Sequence, residues 1–340
     1  MSDLKMYSAF GLAISSDISL PELPEHPDPD TALETISISR SNHESWQPLQ
    51  PSEHSTSTVQ MSNDDWRLEI EGIGWFRVYK GRQIMWQQWD DSVSNRDIRT
   101  FLVSSAIGAL MIQKNSLILC ATSVVKEGKA ILLLGEPASG KSTLAYFLQQ
   151  NGWQLLSSEI SYVDNDGMVW PGIQQLKLWL DTIMEIGINK NELPVVRKGL
   201  KRYALMPPNL SIANKATALT AIYDVNRQRK EKDKCKDDEG NKNNIYAWKV
   251  LEQQRALLII RNRAFQPRFY RGMGKEQKLF LYAASLAKKF RLHRLLLPDN
   301  IQEMKAALKD VNLLDPLSLH PEKNQMLIEP NEEKISKGDD

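Results

Sequence analysis

The chain is poor in cysteine, in histidine and in long apolar runs, and it lacks an excess of either charge. Its two cysteines, Cys120 and Cys235, lie far apart among 340 residues. No disulfide framework is implied, and a reducing, cytoplasmic setting is the simplest expectation. The longest apolar run near the middle, Phe101 to Ile112, contains two serines and is too short to span a bilayer, so no membrane role is expected. The N-terminus carries Asp3 and Lys5 and no apolar segment of the secretory kind. A formal net charge of +1 gives no global reason to expect nucleic acid or an acidic membrane as partner. His26, His43 and His54 fall in a polar stretch without the spacing of a metal site, and His293 sits inside an apolar run as a core histidine would.

The remaining composition, 25% charged and 41% hydrophobic, is that of an ordinary globular protein long enough for two cores. Residues 5 to 20 are β-leaning and end at a Pro-Glu-Leu-Pro turn. A polar stretch follows, with one strand-like piece at Leu33 to Ser39. Asp64 to Trp89 reads as a three-stranded meander turning at Glu71-Gly72 and Lys80-Gly81. Its aromatics (Trp66, Trp75, Phe76, Trp86, Trp89) have no basic residues clustered among them, so they are expected to form sheet core and cover rather than a base-stacking platform. Asp97 to Lys114 has the period of a helix, with Ile98, Phe101, Leu102, Ala106, Leu110 and Met111 on one face.

Beyond it the spacing predicts a strand over Ser116 to Val125, a further strand into Leu134, a helix over Ser142 to Gln149 and a strand over Trp153 to Ser158. A hairpin is expected around Asp166-Gly167, a helix or turn over Leu178 to Glu185, and a strand over Leu219 to Val225. Helices are expected over Tyr246 to Ile260 and Lys275 to Phe290, then a strand to Leu297 and a short helix over Ile301 to Leu308. Asn226 to Asn244 is almost wholly polar and charged and reads as an exposed loop. The expected organisation is a β-rich N-terminal domain over 1–95, an α/β domain over 96–312 with its charged loop at 226–244, and a tail over 313–340.

The stretch with chemistry is Gly135-Glu136-Pro137-Ala138-Ser139-Gly140-Lys141-Ser142, followed by Thr143. It fits the G-x-x-x-x-G-K-[ST] pattern at every position, between an apolar strand and a helix. Glycines let such a loop turn its N–H groups inward around a polyphosphate, and the helix N-terminus adds a partial positive charge. Lys141 is expected to reach the β- and γ-phosphates and Ser142 to hold Mg²⁺. Glu159, at the end of the next strand, stands where a carboxylate serves the metal or an attacking hydroxyl. Asp164-x-x-Gly167 and Asn189-Lys-Asn-Glu192 echo GTPase motifs only by coincidence, since the second lacks its preceding apolar strand. The basic stretch Arg197 to Arg202 is a candidate for holding an acidic peptide or a phosphate.

The run LCATSVVKEGKAILLLGEPASGKSTLAYFLQQNGWQLLSSEISYVDNDG resembles the C-terminal domain of HPr serine kinase/phosphorylase. It is more similar still to the HPr-kinase-like proteins of modified-peptide pathways, the lasso-peptide kinases among them. YSAFGLAISSDISLPEL, the Pro171 to Trp179 segment, Lys201-Arg202-Tyr203, TALTAIYDV and FRLHRLLLPDN are similar in kind and order. The resemblance implies an α/β fold, a P-loop NTPase-like kinase domain with a mixed sheet behind a smaller β-rich N-terminal domain. It also implies ATP and Mg²⁺ as cofactors and γ-phosphoryl transfer to a serine of a peptide or small protein. Relatives with the full-length architecture form hexamers, so a homo-oligomer is among the expectations. Two positions depart from the family pattern. Cys120 stands where relatives carry His, and Ser158-Glu159 where they carry an Asp-Asp pair whose first member takes the serine proton. A base is worth roughly 10²–10⁴-fold, so an ATP-binding module with impaired catalysis, acting in recruitment or regulation, is the alternative.

Overall fold

The computed structural model describes residues 4–25, 33–41, 58–197, 199–227 and 246–308. It is a mixed α/β structure built on two large sheets. His26, His43, His54, the charged loop from 228 onward and the C-terminal tail lie outside the described residues.

The first sheet collects β1 (Lys5–Ala9), β2 (Leu12–Ser16), β3 (Glu34–Arg40), β4 (Val59–Met61), β5 (Asp65–Ile70), β6 (Gly74–Tyr79) and β7 (Gln83–Gln88), in the order β1-β2-β3-β7-β6-β5-β4. Strict alternation of buried and outward residues along β6 is the period of a sheet with one covered face. Trp66 and Phe76 are fully buried, and Trp75 stacks on Trp89 at 4.5 Å between ring centroids. These aromatics are therefore core and cover. Two arginines on the other face, Arg67 and Arg77, clasp Asp65 with bonds of 2.9 and 2.6 Å, which holds its carboxyl below the usual range despite burial.

One long helical segment leads out of this sheet: α1 (Asn95–Phe101), a π-helical stretch (Leu102–Ala106) and α2 (Ile107–Gln113). Ser94 caps it by accepting from the Asp97 N–H. The second sheet follows the order β11-β9-β10-β16-β18-β17. Its strands are β9 (Ala121–Lys126), β10 (Lys129–Leu134), β11 (Gln154–Ser157), β16 (Thr217–Arg227), β17 (Tyr246–Val250) and β18 (Leu292–Leu297). β10, β16 and β18 run parallel, while β9 and β17 are antiparallel to their neighbours.

The all-apolar β10 is explained by cover on both faces. Ala130, Leu132 and Leu134 join the large core shared with the first sheet, the 95–113 segment, α5 (Gln253–Asn262), α6 (Pro267–Gly272) and α7 (Glu276–Lys289). Ile131 and Leu133 face a second core with α3 (Lys141–Gln150), α4 (Leu180–Glu185) and α8 (Ile301–Ala307).

Several local expectations change. The strand expected over Ser116 to Val125 breaks at Cys120 into β8 (Ile118–Leu119) and β9, because the Cys120 N–H bonds out of the sheet to the Arg263 carbonyl at 2.7 Å. Tyr246 to Val250 is strand, not helix, since it closes the sheet edge against β18. β12 (Ser161–Tyr162) and β13 (Met168–Val169) are the arms of the expected hairpin, joined by the Val163–Val169 bridge and by the Asp164 N–H to the Met168 carbonyl at 3.0 Å and the Trp170 N–H to the Tyr162 carbonyl at 3.1 Å. Each arm also pairs outward, β12 with β8 and β13 with β16. The carboxylate of Asp164 fills the intervening turn, accepting from the N–H groups of Asp166 and Met168 and from Trp170 Nε1. Asn189 likewise caps its own turn, accepting from the Asn191 N–H. Neither GTPase echo is more than local structure.

His293 is buried beside Tyr223, and burial, helped by Arg291, pushes its pKa down to about 4. Its folded value lies below the ordinary one, so the unfolded chain takes up a proton that the folded chain refuses as pH falls from about 6.5 toward 4. Urea melts at pH 7 and 4.5 are expected to show wild type losing more stability on acidification than His293→Gln.

Candidate functional site

β10 ends at Leu134 and hands the chain to the glycine-rich loop. The loop needs backbone angles that side chains resist: Gly135 has φ 153°, Ala138 φ 65° and Gly140 φ 97°. A Cβ on Gly135 would meet Ser139 Oγ at 2.5 Å and the Val225 carbonyl at 2.6 Å, so only glycine fits. Glu136, Pro137 and Ala138 are exposed, while Ser139 and Thr143 are buried and Ser142 is half-buried. Gly140 caps α3, whose first residue is Lys141.

Lys141 folds back over the loop. Its Nζ donates to the carbonyls of Gly135 and Glu136, both at 2.7 Å, and to Ser139 Oγ at 3.4 Å. Burial, with the neighbouring Arg263 guanidinium adding to it, pushes the ammonium down to about 8.

Sheet order then brings in residues that sequence spacing did not single out. Asp224 lies opposite Leu134 on the adjacent parallel strand β16 and is 2% exposed. It accepts from Asn226 Nδ2 at 3.1 Å and stands 3.7 Å from both Arg263 and Arg294. Arg227, three residues on, reaches the loop, with Nε 3.3 Å from where a Cβ on Gly140 would be. Asp224 Oδ1 and the Nε atoms of Arg202, Arg227, Arg263 and Arg294 are buried without a hydrogen-bond partner among the described residues. Such orphans are costly unless something else satisfies them. Polyphosphate oxygens suit the arginine donors, and a hard cation suits the acid. The signal in the sequence was an apolar strand, LTAIYD, ending in a carboxylate, the form of the second acidic motif of phosphate-loop proteins.

The other expected residues lie at the same sheet edge. β11 runs parallel to β10 through two antiparallel steps by way of β9, so Glu159 leaves the sheet on the side where the loop does. Glu159 has φ 62°, and both its carboxylate oxygens face Lys177 Nζ, at 2.8 and 2.9 Å. The Lys177 side chain is only 5% exposed, which makes Glu159 part of a built pair rather than a loose surface charge. Ser158 is fully buried and its Oγ donates to the Gln175 carbonyl. Its hydroxyl satisfies backbone, and a hydroxyl is too weakly basic to take a proton near neutral pH. Cys120 is a half-buried thiol whose pKa is raised by burial, matching a packing role.

Of the basic stretch, Arg202 turns toward the site: it enters β15 (Arg202–Leu205), stacks 5.1 Å over Trp179 and is among the charges felt by Lys141. No group of three or more potential metal ligands is present among the described residues. A Mg²⁺ site of the phosphate-loop kind needs none, since water and phosphate supply most ligands. No helix of the described residues is long and apolar enough to cross a membrane.

No family model matches the chain, and no curated protein matches it. Among solved structures, the Hpr(Ser) kinase/phosphatase from Coxiella burnetii aligns with 57% of this chain and 94% of its own, at 12% identity and a TM-score of 0.27.

Proposed function

We propose that the protein is a P-loop phosphotransferase of the HPr-kinase-like kind that moves the γ-phosphoryl of ATP to a serine hydroxyl of a peptide or small protein, in the setting of peptide maturation. The observation that carries this reading is Asp224 beside the glycine-rich loop, with buried, unsatisfied cationic donors around both. On this reading residues 96–312 form the kinase domain and 1–95 a β-rich domain in front of it.

The loop N–H groups and the α3 N-terminus hold the phosphates, with Lys141 exchanging its two carbonyl partners for phosphate oxygens. Ser142 and Asp224 would hold Mg²⁺, which would supply neutralisation of the phosphate charge. Glu159, held by Lys177, orients the acceptor hydroxyl and takes its proton. The acceptor oxygen bonds to the γ-phosphorus as the bond from phosphorus to the β–γ bridging oxygen breaks, and ADP leaves. Positioning and charge dominate such a loose transition state, so Ser158 in place of a base is compatible with turnover.

Burial of Ser158 and Cys120 favours one second reading, an ATP-binding module that performs no transfer. Incubation with γ-labelled ATP, Mg²⁺ and a serine-bearing peptide separates the two. Label in the peptide, abolished by EDTA and reduced about 10²-fold or more in Glu159→Gln, is the kinase outcome. Nucleotide binding by calorimetry without label in any serine peptide or protein acceptor is the module outcome, and absence of any binding heat with Mg·ATP would end both.

A further inference from the structure

The next inference deepens the phosphotransfer reading and depends on it: it concerns which group meets the charge on the transferred phosphoryl. Arg263 follows α5 in a segment fixed as firmly as a strand. Its carbonyl accepts from the Cys120 N–H at 2.7 Å, the Phe265 N–H donates to the Ile118 carbonyl at 2.7 Å, and Ala264 bridges Leu119. The backbone is thereby pinned at the sheet edge where β10 becomes the loop. The side chain is 16% exposed and reaches two carboxylates, Glu136 on the loop and, at 3.7 Å, Asp224. Arg263 Nε has no partner among the described residues.

The two carboxylates differ. Asp224 is fixed within β16, and its side chain is 3% exposed. The Glu136 side chain is 67% exposed on the outer lip of the loop. Exposed ion pairs hold weakly, whereas a guanidinium takes two phosphoryl oxygens at once through its planar fork. The loop lip and Lys141 mark the side of the site that faces the γ-phosphate, and the Arg263 charge is felt at Lys141.

We infer that Arg263 is the cation that neutralises the transferred phosphoryl in the transition state, and that Glu136 is its resting partner, released when the phosphoryl arrives. The arginine comes from the same chain, so no second protein need supply it. Glu136 has a matching role as a brake, since every conformation in which it holds Arg263 is one in which the site is incomplete.

Titration of the full-length protein with Mg·ADP, and with Mg·ADP plus aluminium fluoride as a mimic of the phosphoryl in flight, tests this without knowing the acceptor. In wild type, fluoride is expected to tighten binding by about 10²-fold or more. In Arg263→Ala that gain is expected to fall by about 10²-fold, with the affinity for Mg·ADP alone changed less than about fivefold. Arg263→Lys, which keeps the charge and loses the fork, should fall between the two. Glu136→Gln should bind the fluoride complex a few-fold more tightly, and this effect should vanish in an Arg263→Ala background.

Equal losses for Mg·ADP and for the fluoride complex in both Arg263 variants would make the residue a ground-state or structural contact and overturn the inference. A wild type that binds Mg·ADP without any fluoride gain overturns it as well while leaving nucleotide binding intact. A wild type that binds no Mg·ADP defeats the phosphotransfer reading itself, and this inference falls with it.

Discussion

Lys141→Ala is expected to weaken Mg·ATP binding by about 10²-fold and to lower transfer by about 10³-fold or more. The wild-type side chain has no role in holding distant elements together: its three partners, the carbonyls of Gly135 and Glu136 and the Ser139 hydroxyl, all belong to the loop. Stability should therefore change little while affinity collapses, a combination that urea melts and calorimetry on the same preparation would register. The proton balance gives a second signature. The ammonium is pushed down to about 8, and a polyphosphate beside it favours the charged form. At pH 7 the lysine is charged with or without nucleotide, so binding moves no proton there. Above pH 8 the protein alone is largely neutral at this position and binding takes a proton up, so affinity for Mg·ADP should fall as pH rises through 8. Calorimetry at pH 8.5 in buffers of different ionisation enthalpy should show proton uptake in wild type and none in Lys141→Ala. Uptake persisting in the variant would mean that another group titrates and that Lys141 does not meet the phosphates.

Asp224→Asn carries the next largest effect. The substitution keeps the shape and one oxygen for the Asn226 bond, and removes a charge held 3.7 Å from Arg263 and Arg294. The two guanidiniums then lose their shared counter-charge, which should cost about 2 kcal/mol of stability, below the roughly 3–5 kcal/mol of a tight buried pair because the contacts are long. The functional loss should be separate and larger: half-saturating Mg²⁺ raised about tenfold and transfer down about 10²-fold or more. Activity measured across a Mg²⁺ series, below the midpoint of any melt, distinguishes the two components. A variant that is merely less stable, with an unchanged Mg²⁺ requirement, would show that Asp224 only spaces the arginines.

These expectations draw on residues of unequal visibility. The loop and α3 were legible because their signals are local: glycine where φ turns positive, lysine and serine at fixed offsets, an apolar run before and a helical period after. The meander of β5 to β7 was legible for the same reason, since each turn carries its own glycine. The segment Tyr246 to Val250 misled because a short apolar run continuous with a helix carries the pattern of either state. Pairing with β18, an interaction with residues far along the chain, selected the strand. Cys120 lay inside the strand expected over Ser116 to Val125, and the break there follows from a bond to Arg263, far along the sequence.

The candidate site divides along the same line. By itself the sequence determined a glycine-rich loop of the G-x-x-x-x-G-K-[ST] pattern, an apolar strand and helix around it, and a composition without a cysteine pattern, a long apolar span or a charge excess. Only the tertiary structure decided that Asp224 stands beside Leu134 and Arg294, that Lys177 holds Glu159, and that Arg227 and Arg263 reach the loop. The reason is that a turn is specified by the torsions of neighbouring residues. Which carboxylate faces which strand end depends instead on sheet order and register, and those are set by burying apolar residues on both faces of β10 at once.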